Sequence, residues 1–137
     1  HQVDTALWML GVDTVQGVRA LSGKPHPQFG MAMDISIQFH TGAKQLVTIA
    51  LTYNAEETLW VMRFLGDEDV LTFQNGKLLN EKDEQVVPEH SIYNMLNQDR
   101  AMIQAIRDNT PCDFDIASMM PAMRVLHQAE HSIGEFP

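Results

Sequence analysis

Cysteine is almost absent: Cys112 stands alone in 137 residues. No internal disulfide can form and nothing calls for an oxidising compartment, so a cytoplasmic protein is the expectation. No apolar run approaches the ~20 residues of a membrane span, and the amino terminus lacks the basic-then-apolar form of a signal peptide, so no membrane partner is expected. Positive charge is scarce as well. Nine Lys and Arg face 18 Asp and Glu, a formal charge of -9, and the few cations are scattered, which disfavours phosphate backbones and sets nucleic acid aside. GxGxxG, the P-loop, the GxSxG elbow and any cysteine pair at metal spacing are all missing. The chain by itself therefore has no familiar means of holding a nucleotide, and neither a cofactor nor a metal is expected in it. It starts on His1, directly in a helical pattern and without methionine, and reads as a fragment or excised domain.

What is present is alternation. Met31, Met33, Ile35, Ile37 and Phe39 alternate with Ala32, Asp34, Ser36, Gln38 and His40, a period of two that only a strand presents on one face. After Thr41-Gly42-Ala43 the chain returns from Gln45 to Tyr53 as the second strand of a hairpin. That strand is apolar or small on both faces, which places it centrally in a sheet. Weaker strand patterns cover Thr14–Leu21, Leu59–Leu65, Val70–Gln74 and Lys77–Leu79, with Asn75-Gly76 suited to a two-residue turn and Gln85–Val87 as a further edge. Helical spacing covers Val3–Leu10, closed by Gly11, then Ile92–Asp108 with Leu96, Asp99, Met102, Ile103 and Ile106 on one face. A last helix runs from about Ala117 to Ile133, with Met119, Met123, Leu126, Ala129 or Glu130, and Ile133 along one side. Asp115 or Ser118 can cap it, Pro121 then falling in or near its first turn. The nine methionines read as adaptable core filler. The expected fold is α+β: one domain over residues 1–137, with an open, mostly antiparallel sheet of about six strands and helices packed on one face.

Few residues suggest chemistry. His1 lies one turn before Asp4 and could meet it; the plainer alternative is a frayed, solvated imidazole. Lys24 and His26 are the cationic or potentially cationic side chains of an irregular loop, Ser22–Gly30, and could meet an anion; the alternative is a solvated loop. His127-Gln128-Ala129-Glu130-His131 matches H-x-x-E-H, two imidazoles one helical turn apart. A zinc site would also need a third ligand and enclosure, so this stretch is read as a solvated helix face.

HQVDTALWMLG, the loop, the long hairpin, AMIQAIRDNTPCDFD and SMMPAMRVLHQAEHSI together resemble the carboxy-terminal domain of the Gfo/Idh/MocA oxidoreductases over nearly the whole chain. The motif H-x-x-D-x-x-x-W-x-x-G falls at His1, Asp4, Trp8 and Gly11. The run at His26, Pro27, Gly30, Ala32, Met33, Asp34, Ser36, Ile37 and Gln38 is most similar to the 4-carboxy-2-hydroxymuconate-6-semialdehyde dehydrogenases. The resemblance implies an amino-terminal Rossmann domain, missing here, that binds NAD or NADP in the parent protein, and a homodimer formed through the sheet face. It implies a small-molecule substrate, an alcohol or aldehyde (hemiacetal) carbon, here a carboxylated semialdehyde. His1 is then the acid/base or orienting residue, with Asp4, Lys24 and His26 orienting it or forming the substrate wall, and the chain alone is inactive. A second reading is a stand-alone NTF2-like ligand-binding or scaffold domain, with its sheet curled around a closed pocket beneath the hairpin.

Overall fold

The computed structural model describes residues 1–86, 95–111 and 115–135, and the chain divides into two units, His1–Ala55 with Asp113–Pro137, and Glu56–Cys112. In the first unit, helix α1 (Gln2–Leu10) buries Val3, Ala6 and Leu7, the i, i+3, i+4 stripe legible in its sequence. It closes on Gly11, whose φ of 64° is the left-handed conformation that glycine reaches without steric cost.

Strands β1 (Gln16–Ser22), β2 (Asp34–His40) and β3 (Leu46–Thr52) follow as an antiparallel meander. Helix α3 (Ile116–Ser132) then runs into a short strand, β7 (Ile133–Glu135), which pairs parallel to β1. The order is β3-β2-β1-β7. Val18, Ala20, Ile37 and Phe39 on one sheet face form the core with Val3 and Leu7 of α1 and Ala122, Val125 and Ala129 of α3, and Ile35, Val47 and Ile49 pack against it. Both helices thus cover one face. The second unit holds β4 (Val61–Leu65), β5 (Val70–Gln74) and β6 (Lys77–Leu79), an antiparallel sheet in chain order, and helix α2 (Met95–Asp108). Asn75 and Gly76 both have positive φ in the β5–β6 turn, as the dipeptide predicts, and Trp60 meets Phe73 edge-on at 5.7 Å.

The class is the expected one: α+β, open and mostly antiparallel. Its strands fall into sheets of four and three rather than a single run of six. Several finer expectations are corrected. β3 lies at an end of its sheet among the described strands, and Thr48, Ala50 and Thr52 are uncharged yet exposed; lack of charge does not mean burial. Most of the described methionines are not core filler: Met9, Met31, Met102, Met119, Met120 and Met123 are exposed, while Met33 and Met62 are half-buried. α3 buries Ala129, one of the two alternatives its spacing offers, and with it Ala122 and Val125, compact side chains that let the helix approach the sheet. On α2, Leu96, Met102, Ile103 and Ile106 are exposed too. The α3 cap is Asp115, whose carboxylate accepts the Ser118 N–H at 2.8 Å, so Pro121 lies inside the helix, past its first turn. Gln85 makes a single bridge to Leu79. The expectations for Val87–Asn94 and Cys112–Phe114 lie outside the described residues.

The face turned away from the helices is left open among the described residues of the first unit. It carries Arg19 and Leu21 of β1, Ser36 and Gln38 of β2, and Leu46, Thr48 and Ala50 of β3, in rows Arg19–Gln38–Thr48 and Leu21–Ser36–Ala50. It mixes polar side chains with alanine and the exposed Leu21 and Leu46 rather than being apolar throughout.

Candidate functional site

His1 precedes the first turn of α1, where its carbonyl accepts the Thr5 N–H at 2.8 Å. Its exposed side chain does not cap the helix. Asp4 is half-buried in the first turn, where a carboxylate suits the positive end of the helix dipole. No hydrogen bond or ion pair joins the two among the described residues. The i, i+3 spacing brings them to one side of the helix and no closer.

The loop between β1 and β2 is more ordered than its prolines suggest. A bridge links Pro25 to Ala32, the His26 N–H donates to the Met31 carbonyl at 2.9 Å, and the Gly30 N–H donates back to the His26 carbonyl at 2.8 Å. Gly30 needs its φ of 67° to make this reversal. The His26 ring stacks on Phe29 at 4.8 Å, and its Nδ1 accepts the Gln28 N–H at 3.2 Å. That bond leaves Nε2 as the donor of the neutral ring. Half-buried and doubly held, His26 presents one directed N–H, while Lys24 is exposed and without an ion pair among the described residues. No described contact brings Lys24 or His26 to His1.

A polar cluster that spacing did not reveal lies at the open end of the β2–β3 hairpin. The Asp34 carboxylate accepts the Thr52 hydroxyl at 2.5 Å and the Asn54 side-chain amide at 2.8 Å, and the Asp34 carbonyl accepts the Gly23 N–H at 2.9 Å. The Asp34 clamp therefore fastens the hairpin to the start of the Lys24–His26 loop. The signal was the placement of Asp34 opposite Thr52, readable only once the register is known. A second grouping is on α3, where His127, Glu130 and His131 bring their ligand atoms within 4.8 Å of one another.

A dinucleotide does not fit these residues. The glycines with positive φ are Gly11, Gly17, Gly30 and Gly76, at a helix end, within a strand, in a loop and in a hairpin turn. None connects a strand to the amino end of a helix, where a phosphate-binding turn belongs. The space beneath the hairpin is equally closed to a ligand, being filled by Ile35, Val47 and Ile49 against the core, so the cone-shaped pocket of the NTF2-like alternative is not what these strands build. Among the described residues no helix is long and apolar enough to cross a membrane.

The family model for bacterial oxidoreductases, C-terminal, matches residues 1–90. The chain is 28% identical over 134 residues to the 4-carboxy-2-hydroxymuconate-6-semialdehyde dehydrogenase of Sphingobium sp. (strain NBRC 103272 / SYK-6), covering 95% of this chain and 42% of that protein. Among solved structures it resembles UDP-N-acetylglucosamine 3-dehydrogenase from Acidithiobacillus ferrooxidans, with a TM-score of 0.80 at 16% identity over 97% of this chain and 44% of that one. Biliverdin reductase from Synechocystis sp. PCC 6803, solved with biliverdin and NADP+, gives a TM-score of 0.73 at 16% identity over the same shares, 97% and 44%. The chain thus spans less than half the length of these relatives. Its strand and helix order, its one-sided helix layer and the match through His1, the loop and both hairpins agree on one conclusion: this chain belongs to the bacterial oxidoreductase C-terminal domain family, of the Gfo/Idh/MocA type.

Proposed function

We propose that the chain is the substrate-binding and dimerisation domain of an NAD(P)-dependent oxidoreductase acting on an alcohol or aldehyde (hemiacetal) carbon, with a carboxylated semialdehyde as substrate class. The observation that carries this reading is the family match over residues 1–90, which begins at His1 and includes the loop holding Lys24 and His26. The redox chemistry belongs to a nucleotide-binding domain outside these residues. Within them, the exposed imidazole of His1 takes or gives the proton on the substrate oxygen, a role suited to a ring that carries both a donor and an acceptor nitrogen. Asp4 orients it once substrate is bound. The His26 N–H and the Lys24 ammonium meet the substrate carboxylate, supplying local positive charge that an acidic chain does not provide at long range. Two copies pair through the helix-free sheet face around Thr48 and Ala50, where Leu21 and Leu46 are exposed.

The test is kinetic. In the oxidoreductase complete with its nucleotide-binding domain, His1→Ala is expected to lower kcat about 10²- to 10⁴-fold, the usual worth of a general acid/base. Lys24→Ala is expected to raise KM for a carboxylated semialdehyde more than for its uncharged analogue. Unchanged kcat in the first variant overturns the role of His1. Measurable NAD(P)H oxidation by the 137-residue chain alone overturns the division of labour.

A further inference from the structure

We propose that His127, Glu130 and His131 form a binding site for one divalent transition-metal ion, with Zn²⁺ as the ion their donors suit. The inference stands apart from the oxidoreductase reading. All three residues lie on the last turns of α3, and the sequence offers their i, i+3, i+4 spacing. The structure adds that one ligand atom from each lies within 4.8 Å of the others, with the imidazole centroids 4.2 Å apart and the rings tilted by 53°. Glu130 is thus the third donor that spacing alone had left open. In a tetrahedral shell with Zn–N and Zn–O bonds of about 2.0–2.2 Å, donors sit about 3.3 Å apart. Closing the present group to that span needs rotation of exposed side chains only.

No hydrogen bond or ion pair engages the three side chains among the described residues, so nothing has to be broken. Two imidazoles and a carboxylate suit Zn²⁺, Ni²⁺ or Cu²⁺ over Mg²⁺ or Ca²⁺. The ion would sit at the carboxyl end of a 17-residue helix, where the dipole favours a cation. Beside the two imidazoles and Ser132 runs an open groove bordered by Gly17, Val18 and Arg19 of β1. The Arg19 guanidinium is tied to the Val18 carbonyl at 3.0 Å. That side is open, so water can complete the coordination. Since α3 passes directly into β7, the ion fastens the helix end just before the strand that joins β1.

The test is calorimetric titration of the untagged, chelator-treated 137-residue chain with ZnCl₂. One equivalent should bind. Changes outside the ligand shell already cost about 10- to 100-fold in metal affinity, so His127→Gln and His131→Gln should each lose more than tenfold, Glu130→Gln should weaken binding, and His1→Gln and His26→Gln should leave it unchanged. The three positions are exposed, so far-ultraviolet circular dichroism should match the wild type and separate lost binding from lost fold. The proposal is overturned by any of four outcomes: no saturable heat, binding that survives both imidazole changes, an equal response to MgCl₂, or saturable binding of inorganic phosphate removed by the same changes.

Discussion

Asp34 and Thr52 face each other in register at the open end of the β2–β3 hairpin, and the threonine hydroxyl donates to the aspartate carboxylate at 2.5 Å. Asn54 donates to the other carboxylate oxygen. One side chain thus ties the strand that follows the Lys24–His26 loop to the end of its neighbour. Hydrogen bonds to a charged acceptor contribute about 1.5–3 kcal/mol when sheltered and less when solvated. Asp34→Ala should therefore cost about 1–2 kcal/mol in denaturant unfolding. Thr52→Val should cost less, and the double variant less than the sum, since the two share a bond. Strict additivity would show that the bond contributes nothing.

Gly17 is the second point at which the backbone dictates the residue. Its φ is 64°, and a Cβ there would lie 3.0 Å from the His40 ring. Gly17→Ala should destabilise by about 1–2 kcal/mol from the left-handed conformation alone. Combining it with His40→Ala should recover only the steric part, measurable as a partial return of the thermal midpoint.

Core and surface should separate cleanly. Phe39 is 1% exposed, and Phe39→Ala should cost about 3–5 kcal/mol, enough to unfold much of a marginally stable domain. Met123 is 56% exposed, and Met123→Ala in the 137-residue chain should change stability by less than about 0.5 kcal/mol. Equal losses by calorimetry would restore methionine to the core.

If two copies pair on the helix-free face, Ala50→Arg should break the pair, because a cation would be set into a flat row beside Ser36 and Leu21. Light scattering should show the wild type at twice the monomer mass and the variant at the monomer mass. A wild type at monomer mass would remove the dimer from the proposed function.

Strict alternation made the hairpin legible, and Asn75-Gly76 made the β5–β6 turn so, because each depends on neighbours a few residues away. Burial is a property of the assembled layers and was less visible. Met119 and Met123 have the hydrophobicity of core residues, yet Ala122 and Val125 were chosen by proximity to β1. Pro121 was misplaced by a matter of capping: had Ser118 begun α3, the proline would stand in the first turn, but Asp115 begins it. β7 is three residues long, too short for a period to register. For the site, His1 and Asp4 stood out by their i, i+3 spacing and Lys24 and His26 as the cations of a loop, and the resemblance supplied their roles. Physical spacing could foresee neither the stacked, hydrogen-bonded His26 nor the Asp34 clamp, both of which depend on how a proline-rich loop folds back on itself.

The pairing of Ala20–Ser22 with Ile133–Glu135 imposes an order on biosynthesis. More than a hundred residues separate the two segments, which a ribosome adding about 5–20 residues per second needs roughly 5–20 s to make. Throughout that interval the nascent chain carries a strand with one bare edge, open to adhesion by other emerging polypeptides. Sealing it must wait until β7 has emerged, so a chaperone that shields the early ribbon would raise the yield of this protein.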